Sequence, residues 1–509
     1  MKQYDLFELI WKAQAPENSD VKADLQADFL YEDGEIVKVK GFYAGAETYK
    51  VRFLPVKTGR ITWKISGIIN EEGTEFCEPN ENGTGLVKAV GTHFEYQNGK
   101  RFSPIGTTIY ALAHQDEALI EETFASLAAA PFNKVRHCMF PKHYDYNHNE
   151  PQYYPFEKKE DGSWDTEHPC FAYWDHMEEI INRLGAMGIQ SDLILFHPYD
   201  RWKFSEMSME ENLSYLDYLL RRFSAIPYIW WSLANEYDLC FAKSLDDWHT
   251  IEQYVHDNDP FGHLLSNHNC FQFYDFSREN ITHCSLQSCA MHRAPEFMEK
   301  YGKPVVFDEC CYEGDIQHSW GNITGFEMVS RFWQGAVQGA FVTHGETFYS
   351  EDEILWWSRG GKLKGKSAPK LAYLKEFMES LPGALEPWND MEVINARKLK
   401  GTEEAAKVPI ISLVCSTDAV DFEDMMWKDA VASGRIGEKV FIKYLGSHAS
   451  RLFFLKLPEN HKYKIEVIDV WEMTRTTLIE EAGGETRCML PGKEGIAVVA
   501  TLIEGEKKG

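Results

Sequence analysis

The feature that most constrains this sequence is a rhythm rather than a motif. From about residue 100, eight short strand-like runs recur: FSPIGTTIYAL, FNKVRHCMF, GIQSDLILFH, YIWWSLANE, HLLSNHN, NITHCSLQS, KPVVFDEC and GAFVTHGETF. Between them the period changes. Trp174, Met177, Ile181 and Leu184 fall on one helical stripe, closed by Gly185 or Gly188. Ser208-Met209-Glu210-Glu211 reads as a capping box opening another, with Leu213, Leu216 and Leu220 on its apolar side. Strands joined through helices lie parallel, because each crossover returns the chain to the same end of the sheet. Eight strand–helix units over about 290 residues are what a (β/α)8 TIM barrel requires, so the expected fold class is α/β.

A chain of 509 residues is too long for one hydrophobic core, and both flanks read as β. Within residues 1–90, Val21, Ala23, Leu25, Ala27 and Phe29 alternate with Lys22, Asp24, Gln26 and Asp28. Ile61, Trp63 and Ile65 repeat the pattern, and Asp33-Gly34 and Thr58-Gly59 mark turns. This predicts a half-buried antiparallel β-sandwich. The catalytic barrel is expected over 91–385, ended by the proline- and glycine-broken LPGALEPWND. Over 386–509, Tyr463, Ile465 and Val467 alternate again and GIAVVATLI reads as a closing strand, predicting a small all-β, sandwich-like domain. The two flanking modules could brace the barrel or carry the contacts of a homo-oligomer.

Charge narrows the partners. The chain holds 79 acidic against 52 basic residues, a net −27, which weighs against nucleic acid and anionic membranes. It favours a neutral or cationic ligand. Aromatic residues reach 14%, a surplus useful to a sugar cleft, where flat rings pack on the C–H faces of pyranoses. The eleven cysteines contain no C-x-x-C pair, MKQYDLFELIWKAQ has no secretory pattern, and no run has transmembrane length. A cytoplasmic, reducing location is expected.

In such a barrel the chemistry sits at the C-terminal strand ends. Here those ends are polar: Arg136-His137, His197-Pro198-Tyr199-Asp200, Asn235-Glu236, His268-Asn269, Gln287, Asp308-Glu309 and His344-Gly345-Glu346. Glu236 ends the fourth strand and Glu309 the seventh, so the two are expected to face each other across the mouth. Paired carboxylates around a glycosidic bond are the machinery of glycoside hydrolysis, retaining at a separation of about 5–5.5 Å and inverting when wider. Candidate substrate contacts are Arg136, His197, Asp200, Asn235, His268, Gln287, His344 and Glu346. Trp356, past the eighth strand, could stack on a sugar or simply pack its loop. Glu313 and Glu346 are rival nucleophiles, and Arg136 could instead pair with a structural carboxylate. The histidines His197, His268, His283 and His344 raise a metal reading, but GTTIYAL offers no histidine pair on the first strand, so neither metal nor cofactor is expected. Cys310-Cys311 read as packing thiols. The long stretch HYDYNHNEPQYYPFEKKEDGSWDTEHP is expected to shape and close the cleft.

LANE at Leu233–Glu236 and VVFDE at Val305–Glu309 resemble the clan-A glycoside hydrolases. With PIGTTIYAL, FNKVRHCMFPK, LILFHPYDRW and THGETF in order, the chain is similar over nearly its whole length to the apiosidase-like hydrolases. That resemblance implies Glu236 as general acid/base, Glu309 as nucleophile, Asn235 on the sugar 2-hydroxyl and Arg136 orienting the nucleophile. One departure is Thr107 after Gly106, where that branch usually carries Asp. The expected activity is that of a retaining exo-glycosidase on short oligosaccharides or glycosides. An endo-acting glucanase or mannanase-like hydrolase, and a non-catalytic carbohydrate-binding protein, are the alternatives.

Overall fold

A computed structural model describes residues 1–388, 399–418 and 431–503. Its centre is a ring of parallel strands: β1 (Ile105–Thr108), β2 (Lys134–Cys138), β3 (Gln190–Phe196), β4 (Ile229–Ala234), β5 (Leu265–Ser266), β6 (Cys284–Gln287), β7 (Val305–Glu309) and β8 (Phe341–His344). They pair in the order β5-β4-β3-β2-β1-β8-β7-β6, which brings the first strand beside the last, Ile105 opposite Val342. The remaining seam, between β5 and β6, is held by other bonds. Thr282 N–H donates to the Leu265 carbonyl at 2.9 Å, Ser266 Oγ to the His283 carbonyl at 2.7 Å, and Gln287 N–H to Asn269 Oδ1 at 3.1 Å.

Seven strands are followed by helices: α1 (Glu117–Ala128), α2 (Phe171–Ala186), α3 (Met209–Phe223), α4 (Leu245–Asn258), α5 (Ala294–Tyr301), α6 (Gly325–Val337) and α7 (Ser367–Ser380). The Ser208 capping box opens α3 as expected, with Ser208 N–H donating to Glu211 at 2.8 Å. One unit departs from the expected rhythm: β5 runs to β6 without a helix. The reason is local. Asp238 gathers the backbone N–H groups of Cys270, Phe271 and Gln272 at 2.6–2.8 Å, and Asp275 takes that of Ser277 at 3.0 Å, so side chains replace helical bonding.

The barrel interior is not uniformly apolar. Its N-terminal floor is, because Phe94 packs against Trp230 of β4 at 5.0 Å and Phe341 of β8 at 5.3 Å. Above it Lys134 bridges Asp192 and Asp308, both at 2.6 Å, with all three side chains buried. Ser285 and Thr343 also donate to Asp308, at 2.6 and 3.0 Å. Gly106 makes room for this layer, since a β-carbon there would stand 2.8 Å from Thr343 Oγ1 and 3.0 Å from Lys134 Cε.

The N-terminal module pairs a four-stranded sheet containing Leu25–Tyr31 and Gly59–Gly67 with a three-stranded sheet containing Phe7–Lys12 and Thr48–Phe53. The alternation read from the sequence is the burial pattern: Leu25, Ala27, Phe29, Ile61 and Ile65 face inward, and Phe29 stacks on Phe53 at 4.0 Å. Arg52 joins this module to the barrel, holding Glu8 at 2.7 Å and Glu178 of α2 at 2.6 Å. At the other end, a six-stranded antiparallel sheet with Ile496–Leu502 and Tyr463–Asp469 at its heart carries a two-stranded ladder, Leu452–Lys456 with Glu485–Met489. Phe441, Leu455, Tyr463, Ile465 and Val498 pack between them. Two short helices, Glu403–Lys407 and Pro409–Ser416, fall between the first strand of the six-stranded sheet, Glu386–Pro387, and its second, Ala432–Ile436. No described helix is long and apolar enough to cross a membrane.

Candidate active site

The C-terminal mouth of the barrel holds a cavity of about 250 Å³ lined by Glu236, Glu309, Asn235, Tyr110, Tyr199 and Lys142, with Trp320 and Trp357 on its wall. Each acid has its own set of hydrogen-bond partners. Glu309, at the tip of β7, accepts from the Tyr110 hydroxyl and lies 3.2 Å from Arg136 Nη1. Arg136 comes from β2, is fully buried, and extends Nη2 to Asn235 Oδ1 at 3.0 Å. Tyr110 also reaches Asn235 Oδ1, at 2.9 Å. Glu236, just past β4, accepts from the Tyr199 hydroxyl and from Asn235 Nδ2 at 3.3 Å. Asn235 is thus the shared element, with its oxygen tied to the Glu309 side and its nitrogen to the Glu236 side.

Backbone geometry contributes. Glu236 adopts φ +52°, ψ 58°, the left-handed region that a non-glycine residue enters at a conformational cost of about 1 kcal/mol or more. The turn is fixed from behind: Glu236 N–H points at His268 Nδ1 at 3.4 Å, and Tyr237 N–H donates to the His268 carbonyl at 2.9 Å. With Nδ1 accepting, the proton of the neutral ring sits on Nε2, which faces Glu309 Oε1 at 4.0 Å. Burial and the nearby Arg136 keep His268 neutral, well below the usual histidine range.

The surroundings of Glu309 pull its charge in both directions. Burial raises the pKa of Glu309, and the adjacent Glu236 raises it further; Arg136, the Tyr110 hydroxyl and Lys142 pull the other way. Below them Asp308 is held well under the usual carboxylate range, because Lys134 and Arg136 outweigh its burial. Arg136 therefore stands between an ionised floor and the Glu309 carboxylate, and its direction of donation is fixed.

The structure brings together Glu236, Glu309, Arg136, Asn235 and His268, and Gln287 reaches the cavity wall. Five other expected contacts lie elsewhere. His197 donates through Nε2 to the Phe140 carbonyl at 3.0 Å and is buried, so it braces the neighbouring loop. Asp200 accepts from the Trp202 and Ser205 N–H groups at 2.8 and 2.7 Å and pins the turn after β3. The working member of HPYDRW is Tyr199 between them. His344 faces away from the barrel interior, stacked on Phe132 at 4.8 Å, because its neighbour Thr343 takes the inward position of the pleat. Trp356 donates to Thr107 Oγ1 at 2.8 Å, and that hydroxyl meets His344 Nδ1 at 3.1 Å. Thr107, the residue that departs from the family pattern, is thus spent in the wall. Glu346 and Glu313 accept backbone N–H groups at the start of α7: Lys364 at 2.7 Å for Glu346, and Lys366 at 2.8 Å for Glu313. Neither rival nucleophile lines the cavity.

Sequence reasoning missed Tyr110, Tyr199, Lys142, Tyr144 and Trp357. Four of these sit inside motifs the sequence displays, two to six residues past a strand tip, where a tyrosine or lysine looks no different from packing. Trp357 gave the weaker signal of a Trp-Trp pair whose second ring, not its first, faces the cavity. The long stretch after β2 does wall the site, through Tyr144.

Comparison with known proteins agrees with this geometry. Residues 89–385 match the family model "Apiosidase-like, catalytic domain", while 1–67 and 427–501 match two domains of unknown function, DUF5060 and DUF5605. A crystal structure from Bacteroides vulgatus ATCC 8482, described as a candidate glycoside hydrolase, is 31% identical and covers 99% of both chains with a TM-score of 0.86. A glycoside hydrolase family 5 structure from the same organism, 15% identical, covers 84% of this chain and 94% of its own with a TM-score of 0.60, and shares the fold. No curated protein matches the chain. With the family model spanning more than half the sequence and a relative aligned end to end, the chain belongs to the apiosidase-like family and is a glycoside hydrolase.

Proposed function

We propose that the enzyme is a retaining exo-glycosidase acting on short oligosaccharides or simple glycosides, with Glu309 as nucleophile and Glu236 as general acid/base. The observation that carries this is the asymmetry of the two acids around Asn235. Glu309 touches a guanidinium that no other carboxylate contacts within 4.0 Å among the described residues, whereas Glu236 accepts from the neutral groups of Tyr199, Asn235 and Cys270. A guanidinium stabilises the anion that a nucleophile must be, so the contact with Arg136 favours Glu309 for that role and leaves Glu236 as the acid/base. Glu236 would then protonate the departing glycosidic oxygen while Glu309 attacks the anomeric carbon. Water, deprotonated by Glu236, would release the sugar from the ester. A cavity of about 250 Å³ walled by Trp320, Trp357 and Tyr144 suits one sugar ring better than an extended polymer. Eleven cysteines without the spacing of a disulfide framework suit a reducing compartment such as the cytoplasm.

The test is a panel of aryl glycosides against wild type, Glu236→Gln and Glu309→Gln. Each variant should lose at least ~100-fold in turnover while remaining folded. Azide should rescue Glu309→Gly and yield a glycosyl azide of inverted configuration. Full activity in Glu309→Gln, or net inversion by the wild type followed by NMR, would reject the assignment. Faster cleavage of long polymers than of short glycosides would favour endo action.

A further inference from the structure

One charged group in the cavity makes no hydrogen bond to either acid. Lys142 lies four residues past the end of β2, and its side chain is only 3% exposed. Its ammonium is held by aromatic faces alone: Nζ lies 3.6 Å from the ring centroid of Tyr110, 4.4 Å from Tyr199, 4.9 Å from Trp357 and 5.6 Å from Tyr144. Among the described residues no carboxylate comes within salt-bridge reach of it and no acceptor takes a hydrogen bond from it. Among the described residues it is also the only cation lining the cavity.

Aromatic faces stabilise a cation, yet the three N–H donors of an ammonium still want oxygen acceptors. A buried charge without an acceptor is unfavourable unless something that binds there supplies one. The tyrosines cannot, because the hydroxyls of Tyr110 and Tyr199 are directed at Glu309 and Glu236. Those same two rings hold the ammonium on the wall of the cavity that both acids line. Burial draws the Lys142 pKa down to about 8, and the charges of Glu309 and Glu236 hold it from falling further, so the group stays cationic at neutral pH. Arg136 contacts Glu309 at 3.2 Å, whereas no carboxylate, Glu236 included, comes within 4.0 Å of the Lys142 ammonium among the described residues, so its charge has no direct partner in the cavity.

We propose that Lys142 is a specificity residue that receives the carboxylate of an acidic sugar, so that the enzyme's substrates are glycosides of uronic acids. This rests on the glycosidase reading of Glu236 and Glu309. A neutral sugar could offer a hydroxyl to the ammonium but would leave its charge unmatched; a ring carboxylate supplies both acceptor and charge. The aromatic box also fixes Nζ on a side chain that otherwise has several rotatable bonds, which is what discrimination between a carboxylate and a hydroxymethyl group requires.

The readout is a ratio. Aryl glucuronide and galacturonide are compared with the matching glucoside and galactoside in wild type and Lys142→Met. Wild type should favour the uronide of at least one pair, and Lys142→Met should lower that uronide-to-hexoside ratio of kcat/KM by ~100-fold, the scale of a lost charge-assisted hydrogen bond. A wild type that favours the neutral member of both pairs, or an unchanged ratio in the variant, overturns the proposal. A second measurement separates this from the catalytic reading: calorimetric binding of free glucuronate and galacturonate to both proteins. Uronate affinity that falls at least ~10-fold relative to the neutral sugar in Lys142→Met supports the proposal even if no glycoside is cleaved, in which case the catalytic assignment alone fails. Equal uronate affinity in both proteins, or no uronate binding to the wild type, overturns it.

Discussion

If Lys142 is kept for a ligand, the empty enzyme should be less stable for having it. Its pKa falls from the ordinary 10.5 to about 8, with burial the largest cause. At about 1.36 kcal/mol per pH unit, holding the ammonium in this site costs roughly 3 kcal/mol of folding free energy at neutral pH. The four aromatic faces return part of that, on the order of 0.5–2 kcal/mol. Lys142→Met, which fills the same box without a charge, should therefore stabilise the protein by about 1–3 kcal/mol at pH 7. The pH dependence has a definite sign. Below pH 8 the side chain is charged both folded and unfolded, and the penalty is complete. Between 8 and 10.5 the folded lysine is neutral while the unfolded one is still protonated, so the unfolded state binds more protons and wild-type stability rises with pH. The advantage of Lys142→Met should shrink across that window. Differential scanning calorimetry of the two proteins at pH 7 and near pH 10 gives both numbers, provided the same transition is compared in each. A variant less stable than wild type at pH 7, or a difference that does not change with pH, would refute the reasoning, since either result means that the ammonium is already well paired.

Other expectations follow from the same site. Burial and Glu236 raise the pKa of Glu309, so kcat/KM should fall on the acidic side at a pH above the ordinary 4.5 of a glutamate; Lys142→Met, by removing a charge that lowers it, should move that limb upward, and a downward move in the pH–rate profile would contradict the assignment. Tyr199→Phe deletes the hydroxyl that donates to Glu236 and should lower kcat by about 10–100-fold, checked by steady-state kinetics; an unchanged kcat would mean that Glu236 is positioned by Asn235 alone. Trp356→Phe should cost about 1 kcal/mol of stability through its lost bond to Thr107 and leave KM as it was; a raised KM with unchanged melting would place that ring on the substrate.

The residues that proved legible in the sequence share a physical trait. Glu236, Glu309, Arg136 and Asn235 lie at or within a strand tip, where the two-residue pleat and the closure of a barrel leave few directions for a side chain to point. His344 shows the limit of that argument. It too ends a strand, but its pleat position is one step off, and it faces Phe132 rather than the cavity. His197 and Asp200 flank the residue that matters, and only the turn pinned by Asp200 turns Tyr199 toward Glu236. The β5–β6 connection was unreadable as a helix-free loop because its structure comes from carboxylates that capture backbone N–H groups, one of them thirty-odd residues earlier in the chain.

What the sequence determined by itself was therefore periodic: eight strands, the helices between most of them, two β flanks, and a pair of carboxylates at the ends of the fourth and seventh strands. Local spacing encodes these, because a strand alternates and a helix repeats whatever surrounds it. Tertiary structure alone decided the partners. Tyr110, Lys142, Tyr199 and Trp357 come from four separate connections, and nothing in any one of them marks its ring or ammonium as facing the others. Their meeting around a single cation is a consequence of the barrel closing, β1 against β8, which brings the loops after β1, β2, β3 and β8 to one rim.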